Sequence, residues 1–210
     1  MKELRFIAIE GVIGAGKTSL AKVLADRFHA GLILEEFEDN PFLAKFYSSP
    51  SQYAFHTQMF FLLSRYRQQR QIAQMDLFKS RIISDYLFTK DRIFAEVNLT
   101  EDEFSLYEKI YSLLENDIPR PDLVIYLQAS VDFFYKRIKQ RDRNYEREIE
   151  YEYVEKLCDA YNTFFFHYNT APLLIINITT FDFLGDSRDV DLIYNEVTNL
   201  KEPRKIISKE

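Results

Sequence analysis

The sequence predicts an α/β fold: a five-stranded parallel β-sheet sandwiched between helices in three layers. Three observations predict it. Short apolar runs alternate with longer helical stretches along the chain. Those runs are continuously apolar rather than alternating, which marks strands covered on both faces. A glycine-rich loop joins the first run to the first helical stretch.

The runs are Phe6-Ile7-Ala8-Ile9, Leu32-Ile33-Leu34, Arg81-Ile82-Ile83-Ser84, Leu123-Val124-Ile125-Tyr126-Leu127 and Leu173-Leu174-Ile175-Ile176. Helical patterns fall at 17–29, 41–48, 51–77, 101–116, 131–141 and 150–168. Strand–helix alternation implies parallel pairing through right-handed crossovers. In such sheets ligands sit beyond the carboxyl ends of the strands, so chemistry is expected just after residues 9, 35, 84, 127 and 177. Residues 1–200 are expected to form one domain, and the polar residues 201–210 a loose C-terminal tail.

Composition narrows the function classes. The chain has 210 residues, 47% apolar and 29% charged, with 19 Phe and 14 Tyr to fill a core. A net charge of −6 argues against nucleic acid or an anionic membrane as partner, since phosphate-tracking surfaces are basic. The single cysteine, Cys158, forms no internal disulfide and is expected as a buried apolar residue. No apolar run approaches 18 residues, and Met1-Lys2-Glu3-Leu4-Arg5 has no signal-peptide layout, so a cytoplasmic protein is expected.

Residues 11–18 read Gly11-Val12-Ile13-Gly14-Ala15-Gly16-Lys17-Thr18 and fit G-x-x-x-x-G-K-[ST]. This is the P-loop pattern: backbone N–H groups curl around phosphate oxygens, and the following helix points its positive end at the same anion. Lys17 is expected on the β- and γ-phosphates of ATP and the Thr18 hydroxyl on Mg2+.

Carboxylates close the strands. Glu35 and Glu36 end the second, and alternation sends one of the pair into the site, where it would accept a proton from an attacking hydroxyl. Asp85 follows the third strand, where an acid completes a magnesium site with Thr18, caps a helix, or does both. Residues 136–147 carry six positive and two negative charges in an otherwise acidic chain. Arg137 and Arg141 are four apart, as are Arg143 and Arg147, so each pair shares a face on helical turns. Guanidinium forks suit a phosphoryl group in transfer, and a mobile arginine segment would exclude water. The fold class is therefore a three-layer P-loop kinase fold with an arginine-rich lid.

The helix over residues 53–74 places Gln58, Phe61, Leu62 and Arg65 on one face. An amide supplies paired donor and acceptor for the edge of a base. Phe55 and Phe61 would sandwich it.

Five segments together resemble the deoxynucleoside kinase family, from about residue 4 to 185. They are residues 11–18; Glu35-Glu36-Phe37-Glu38-Asp39-Asn40-Pro41-Phe42; Tyr47…Phe55-x-x-Gln58…Arg65; Ser84-Asp85…Asp91; and Arg137-x-x-x-Arg141-x-Arg143-x-x-Glu146. The resemblance implies phosphorylation of the 5′-hydroxyl of a deoxyribonucleoside by ATP and magnesium in nucleotide salvage. It makes Glu35 the base and gives Gln58 the nucleobase, supported by an Arg65–Asp91 pair. Tyr47 and Glu146 would hold the 3′-hydroxyl, and Arg137, Arg141 and Arg143 would form the lid. Asp182-Phe183 would contact the adenine of ATP. It also implies a homodimer and feedback inhibition by a deoxynucleoside triphosphate. Purine deoxynucleosides or deoxycytidine are favoured over thymidine.

Two residues depart from the family pattern. Glu36 stands where proline follows the base, and Asp85-Tyr86-Leu87 replaces the acid-Arg-Ser motif. Arg92 or a lid arginine is the candidate substitute for the missing arginine. Two rival functions follow from the same loop. A nucleoside monophosphate kinase, such as thymidylate kinase, needs a basic clamp for the acceptor phosphate, yet residues 35–43 hold four acids and no base. A guanine-specific regulatory switch would carry Asn-Lys-x-Asp, which is absent from the sequence.

Overall fold

A computed structural model describes residues 4–75, 81–183 and 185–209. Met1, Lys2 and Glu3, the expected helix end at 76–77, and Glu210 lie outside the described residues. Strands β1 (Phe6–Gly11), β2 (Gly31–Ile33), β3 (Ile82–Ser84), β4 (Leu123–Gln128), β5 (Leu173–Asn177) and β6 (Arg204–Ile207) form one parallel sheet, ordered β2-β3-β1-β4-β5-β6. Among the described residues eight α-helices lie between the strands: α1 (Lys17–Arg27), α2 (Leu43–Ser48), α3 (Pro50–Met75), α4 (Lys90–Asn98), α5 (Glu101–Leu114), α6 (Val131–Arg141), α7 (Tyr151–His167) and α8 (Ser187–Asn199).

The central strands are apolar because both faces are covered. All six residues of β1 are buried, as are the first five of β4. One large core joins them to Leu20 and Leu24 of α1, Phe134 and Ile138 of α6, and Leu157, Tyr161 and Phe165 of α7. A second cluster, Leu62, Phe88, Ala95, Tyr107 and Tyr111, ties α3 to α4 and α5. Cys158 is free and buried in the main core.

The sheet has six strands, not five. Residues 204–207 were expected in the polar tail, but they pair in parallel with β5, from Leu173 opposite Arg204 to Ile176 opposite Ile207. Arg204 holds the edge by donating to the carbonyls of Phe165 and Tyr168 at 3.0 and 2.8 Å. Two helices were also unforeseen, α4 and α8. In α8 the buried Val190, Ile193 and Val197 recur at helical spacing, yet β-branched residues, Asp and Asn make the segment a weak helix former.

Topology positions the site. From β1 the chain runs to the edge strand β2, returns through β3, then crosses to β4 on the other side of β1. The sequence direction reverses beside β1, and the crevice at the carboxyl ends of β1, β2 and β3 is the expected ligand position.

Candidate active site

The loop after β1 folds as an anion cradle. Gly14 and Gly16 have φ of 86° and 85°, left-handed values that L side chains rarely adopt. Helix α1 begins at Lys17, directly behind the loop. The Lys17 ammonium donates to the carbonyls of Gly11 and Val12 at 2.7 and 3.2 Å. Burial, and after it the neighbouring Lys90, lowers its pKa to about 8. Glu10, a residue the sequence did not single out, stabilises the loop from inside the core. Its carboxylate is fully buried and accepts from the N–H groups of Gly11 and Leu87 and from the Tyr161 hydroxyl.

Three strand ends meet through Asp85. Its Oδ2 accepts from the Thr18 hydroxyl at 2.5 Å, and its Oδ1 accepts from the Glu35 backbone N–H at 2.8 Å. Asp85 therefore does not cap α4, whose N-cap is Thr89. Thr18 and Asp85 together present hard oxygen donors beside the loop, the chemistry Mg2+ prefers. Among the described residues no cluster of three metal-ligating side chains exists.

Glu35 enters the site and Glu36 is exposed. Arg65 donates to Glu35 Oε1 through Nε at 3.0 Å and through Nη2, and Lys90 Nζ lies 2.6 Å from Oε2. Burial favours the neutral acid, but Lys90 and Arg65 outweigh it and hold the carboxyl well below the usual range. Lys90 was missed by sequence reading. It is 4% exposed and opens α4, five residues after Asp85. The detectable signal was a lysine opening an amphipathic stretch just past a strand-end acid. Arg92, the sequence candidate for the absent arginine, is exposed and pairs with Glu108 at 2.9 Å. Tyr86, at the motif position itself, is buried in the core.

A cleft joins these groups. Its α3 wall is Thr57, Gln58, Phe61 and Arg65; Leu62 instead belongs to the second core cluster. Phe55 does not line the cleft. By helical arithmetic it sits about 60° from Gln58 on the side away from Phe61 and Thr57. The aromatic walls come instead from Phe37, Phe46, Tyr47, Phe61, Phe94, Tyr145 and Tyr153. Asp91 also lies off the cleft. It is fully buried behind Arg65, which donates to Oδ1, while the Tyr107 hydroxyl donates to Oδ2 at 2.9 Å.

The lid borders the opposite wall. Arg141 holds the buried Glu146 with two N–H groups, Nε at 2.9 Å. Arg143 lies 4.5 Å over the Phe37 ring and donates to the Tyr145 hydroxyl at 3.0 Å. Tyr47 stacks on Tyr145, with centroids 6.4 Å apart. Arg147 was expected to share a helical face with Arg143. The left-handed Asp142 (φ 45°) ends α6 before either of them, a short 3₁₀ turn at Asn144–Glu146 separates the two, and Arg147 turns back to the Asp142 carboxylate at 2.7 and 2.9 Å.

Arg137 is exposed outside the cleft, 3.7 Å from where a side chain at Gly16 would begin. The Phe183 ring reaches the same point at 3.8 Å and is buried. The Asp182 carboxylate accepts from the Gly185 N–H at 2.9 Å.

Residues 7–202 match the family model described as deoxynucleoside kinase. The chain belongs to the deoxynucleoside kinase family. It is 40% identical over 190 residues to a deoxyguanosine kinase of Bacillus subtilis, covering 90% of each chain. It is 30% identical over 202 residues to a deoxyadenosine/deoxycytidine kinase of the same organism, covering 92% of each. The deoxyadenosine kinase of M. mycoides, solved with dCMP and dCDP, superposes with a TM-score of 0.82 at 27% identity, over 93% of this chain and all of that one. As a deoxynucleoside kinase the chain is a phosphotransferase that phosphorylates the 5′-hydroxyl of a deoxynucleoside from ATP. The rival readings as a monophosphate kinase or a regulatory switch fall away.

Proposed function

We propose that this deoxynucleoside kinase acts on purine deoxynucleosides first and deoxycytidine second, with Glu35 as the base. The preference over thymidine rests on the names of the relatives. The observation that supports nucleobase recognition in this cleft is Gln58. It is 2% exposed, lines the cleft, and its amide oxygen has no hydrogen-bond partner among the described residues. A buried acceptor of this kind calls for a ligand donor, such as a ring N–H or an exocyclic amine. Arg65 beside it adds a cation over Phe61, 4.6 Å from the ring centroid. The names of the B. subtilis and M. mycoides relatives agree with an amine-bearing base.

In the proposed reaction the base stacks among the cleft aromatics, and Tyr47 and Glu146 hold the 3′-hydroxyl. The 5′-oxygen bonds to the γ-phosphorus of ATP, the bond to the β–γ bridging oxygen breaks, and the hydroxyl proton passes to Glu35. A carboxylate held this acidic is a weak base. In a loose transition state the hydroxyl becomes acidic only as its bond to phosphorus forms, so placement matters more than strength. Lys17 leaves its carbonyl partners for the β- and γ-phosphates, and Arg141 and Arg143 close on the phosphoryl oxygens. Arg137, Asp182 and Phe183 flank the donor nucleotide. Bound Mg2+, held through Thr18 and Asp85, would neutralise phosphate charge.

The protein is proposed to act in cytoplasmic salvage as a homodimer, inhibited by an end-product deoxynucleoside triphosphate. In support of such inhibition, the M. mycoides enzyme has been solved with dCTP and with dATP. Among the described residues no helix is long and apolar enough to cross a membrane. Initial rates with the four deoxynucleosides at saturating MgATP test the preference. The expected kcat/KM is at least tenfold higher for a purine deoxynucleoside than for thymidine; thymidine as the best substrate would overturn it.

A further inference from the structure

We infer that Lys90 is a catalytic residue of the transfer, its ammonium bridging Glu35 and the oxygens of the phosphoryl group in flight. The inference rests on the kinase reading of the cleft. Lys90 Nζ lines that cleft with Lys17, Thr18 and Asp85, 2.6 Å from Glu35 Oε2. An ammonium has three donors, and among the described residues Glu35 takes the only side-chain hydrogen bond Lys90 makes. Its side chain is 6% exposed. Besides Glu35 the ammonium meets only the Phe94 ring, 5.7 Å away at its centroid, so among the described residues it keeps donor capacity that a ligand oxygen would fill.

Glu35 uses one of the three Lys90 donors, at Oε2. Arg65 already engages it twice at Oε1. Placing another ammonium here sets two buried like charges in one site, since Lys90 is the strongest charge acting against protonated Lys17. Glu10, Glu35 and Asp85 offset part of that repulsion, and the remaining like-charge conflict is of the kind that concentrates at functional sites. A terminal phosphate lying between Lys17 and Lys90 resolves the conflict.

In this structure no other cation shares the position of Lys90 beside Glu35 Oε2 among the described residues. Arg92 faces Glu108 at the surface, and Arg141 and Arg143 approach from the opposite wall, held by Glu146 and Tyr145. Arg65 is committed to Glu35 and Asp91. In the transfer the 5′-oxygen–phosphorus bond forms and the phosphorus–bridging-oxygen bond breaks, leaving ADP. The hydroxyl proton goes to Glu35, and Lys90 keeps its three protons throughout.

A rate cycle on the full chain with ATP and the best deoxynucleoside decides this. Lys90→Met should lower kcat about 10²- to 10³-fold, the usual loss for one transition-state donor, with both KM values little changed. Lys90→Arg should recover part of that rate. The loss should persist in a Glu35→Gln background, because the contact is to phosphate. A Lys90→Met loss that disappears in that background, or one below about threefold, would overturn the assignment. Should the methionine variant misfold, Lys90→Ala with added methylammonium replaces it. A rate that rises with the amine supports the assignment, and a flat response overturns it. Wild-type protein that phosphorylates no deoxynucleoside would instead refute the kinase reading, before any variant is made.

Discussion

Arg65 donates two N–H groups to one oxygen of Glu35, and its remaining arm holds the fully buried Asp91. One guanidinium thus fixes the base and ties α3 to α4. Arg65→Met should destabilise the fold by about 3–5 kcal/mol, because the fully buried Asp91 loses its ion-pair partner and Glu35 loses one of its two cations. Arg65→Lys should recover little, since a point charge cannot span both acids. Urea unfolding with an unchanged m-value is the check.

Lys17 gives a pH prediction with opposite signs for stability and binding. Its folded pKa is lowered to about 8, against about 10.4 in an unfolded chain. Between those values the unfolded state binds more protons, so this group's contribution makes the fold more stable as pH rises. ATP affinity should move the other way, falling by up to about tenfold per pH unit above 8 as the ammonium is lost. Calorimetric titration of ATP and thermal melts across pH 7–10 would show the two trends. Parallel trends would contradict the assignment of Lys17 to the phosphates.

The Thr18–Asp85 hydrogen bond of 2.5 Å predicts a metal phenotype. Asp85→Asn should raise the magnesium concentration needed for half-maximal rate at least about tenfold, as losing a ligand's orienting partner does. A magnesium titration of initial rate at fixed ATP measures it.

Glu146 and Tyr47 are assigned to the 3′-hydroxyl. Glu146→Gln should erase most of the discrimination between a 2′-deoxynucleoside and its 2′,3′-dideoxy analogue. The coupling expected for a hydrogen bond to a charged group is about 1.5–3 kcal/mol. Undiminished discrimination in the variant would place the 3′-hydroxyl elsewhere.

The loop at residues 11–18 and the first five strands were legible because their signals are local: a fixed spacing of glycines, and apolar runs bounded by polar residues. Asp85 and Glu35 were legible from strand ends alone. What was hidden depends on tertiary contact. In β6 two isoleucines lie among Arg204, Lys205 and Lys209, so composition reads as tail until β5 offers its edge. Nine residues of α4 give too short a window for a period, and Lys90 was overlooked with them. Phe55 looked suitable by residue type, but helix phase turns it out of the cleft. Glu10 carried no motif, and only the burial of its three donors reveals its role.

The central claim is that Glu35 accepts the proton of a deoxynucleoside 5′-hydroxyl. Its most direct test is kcat of Glu35→Gln with the preferred deoxynucleoside and saturating MgATP. The variant keeps the size and hydrogen-bonding capacity of the side chain and removes the base. The account predicts a fall of roughly 10²-fold or more, with ATP still bound. Turnover within a few-fold of wild type would contradict it.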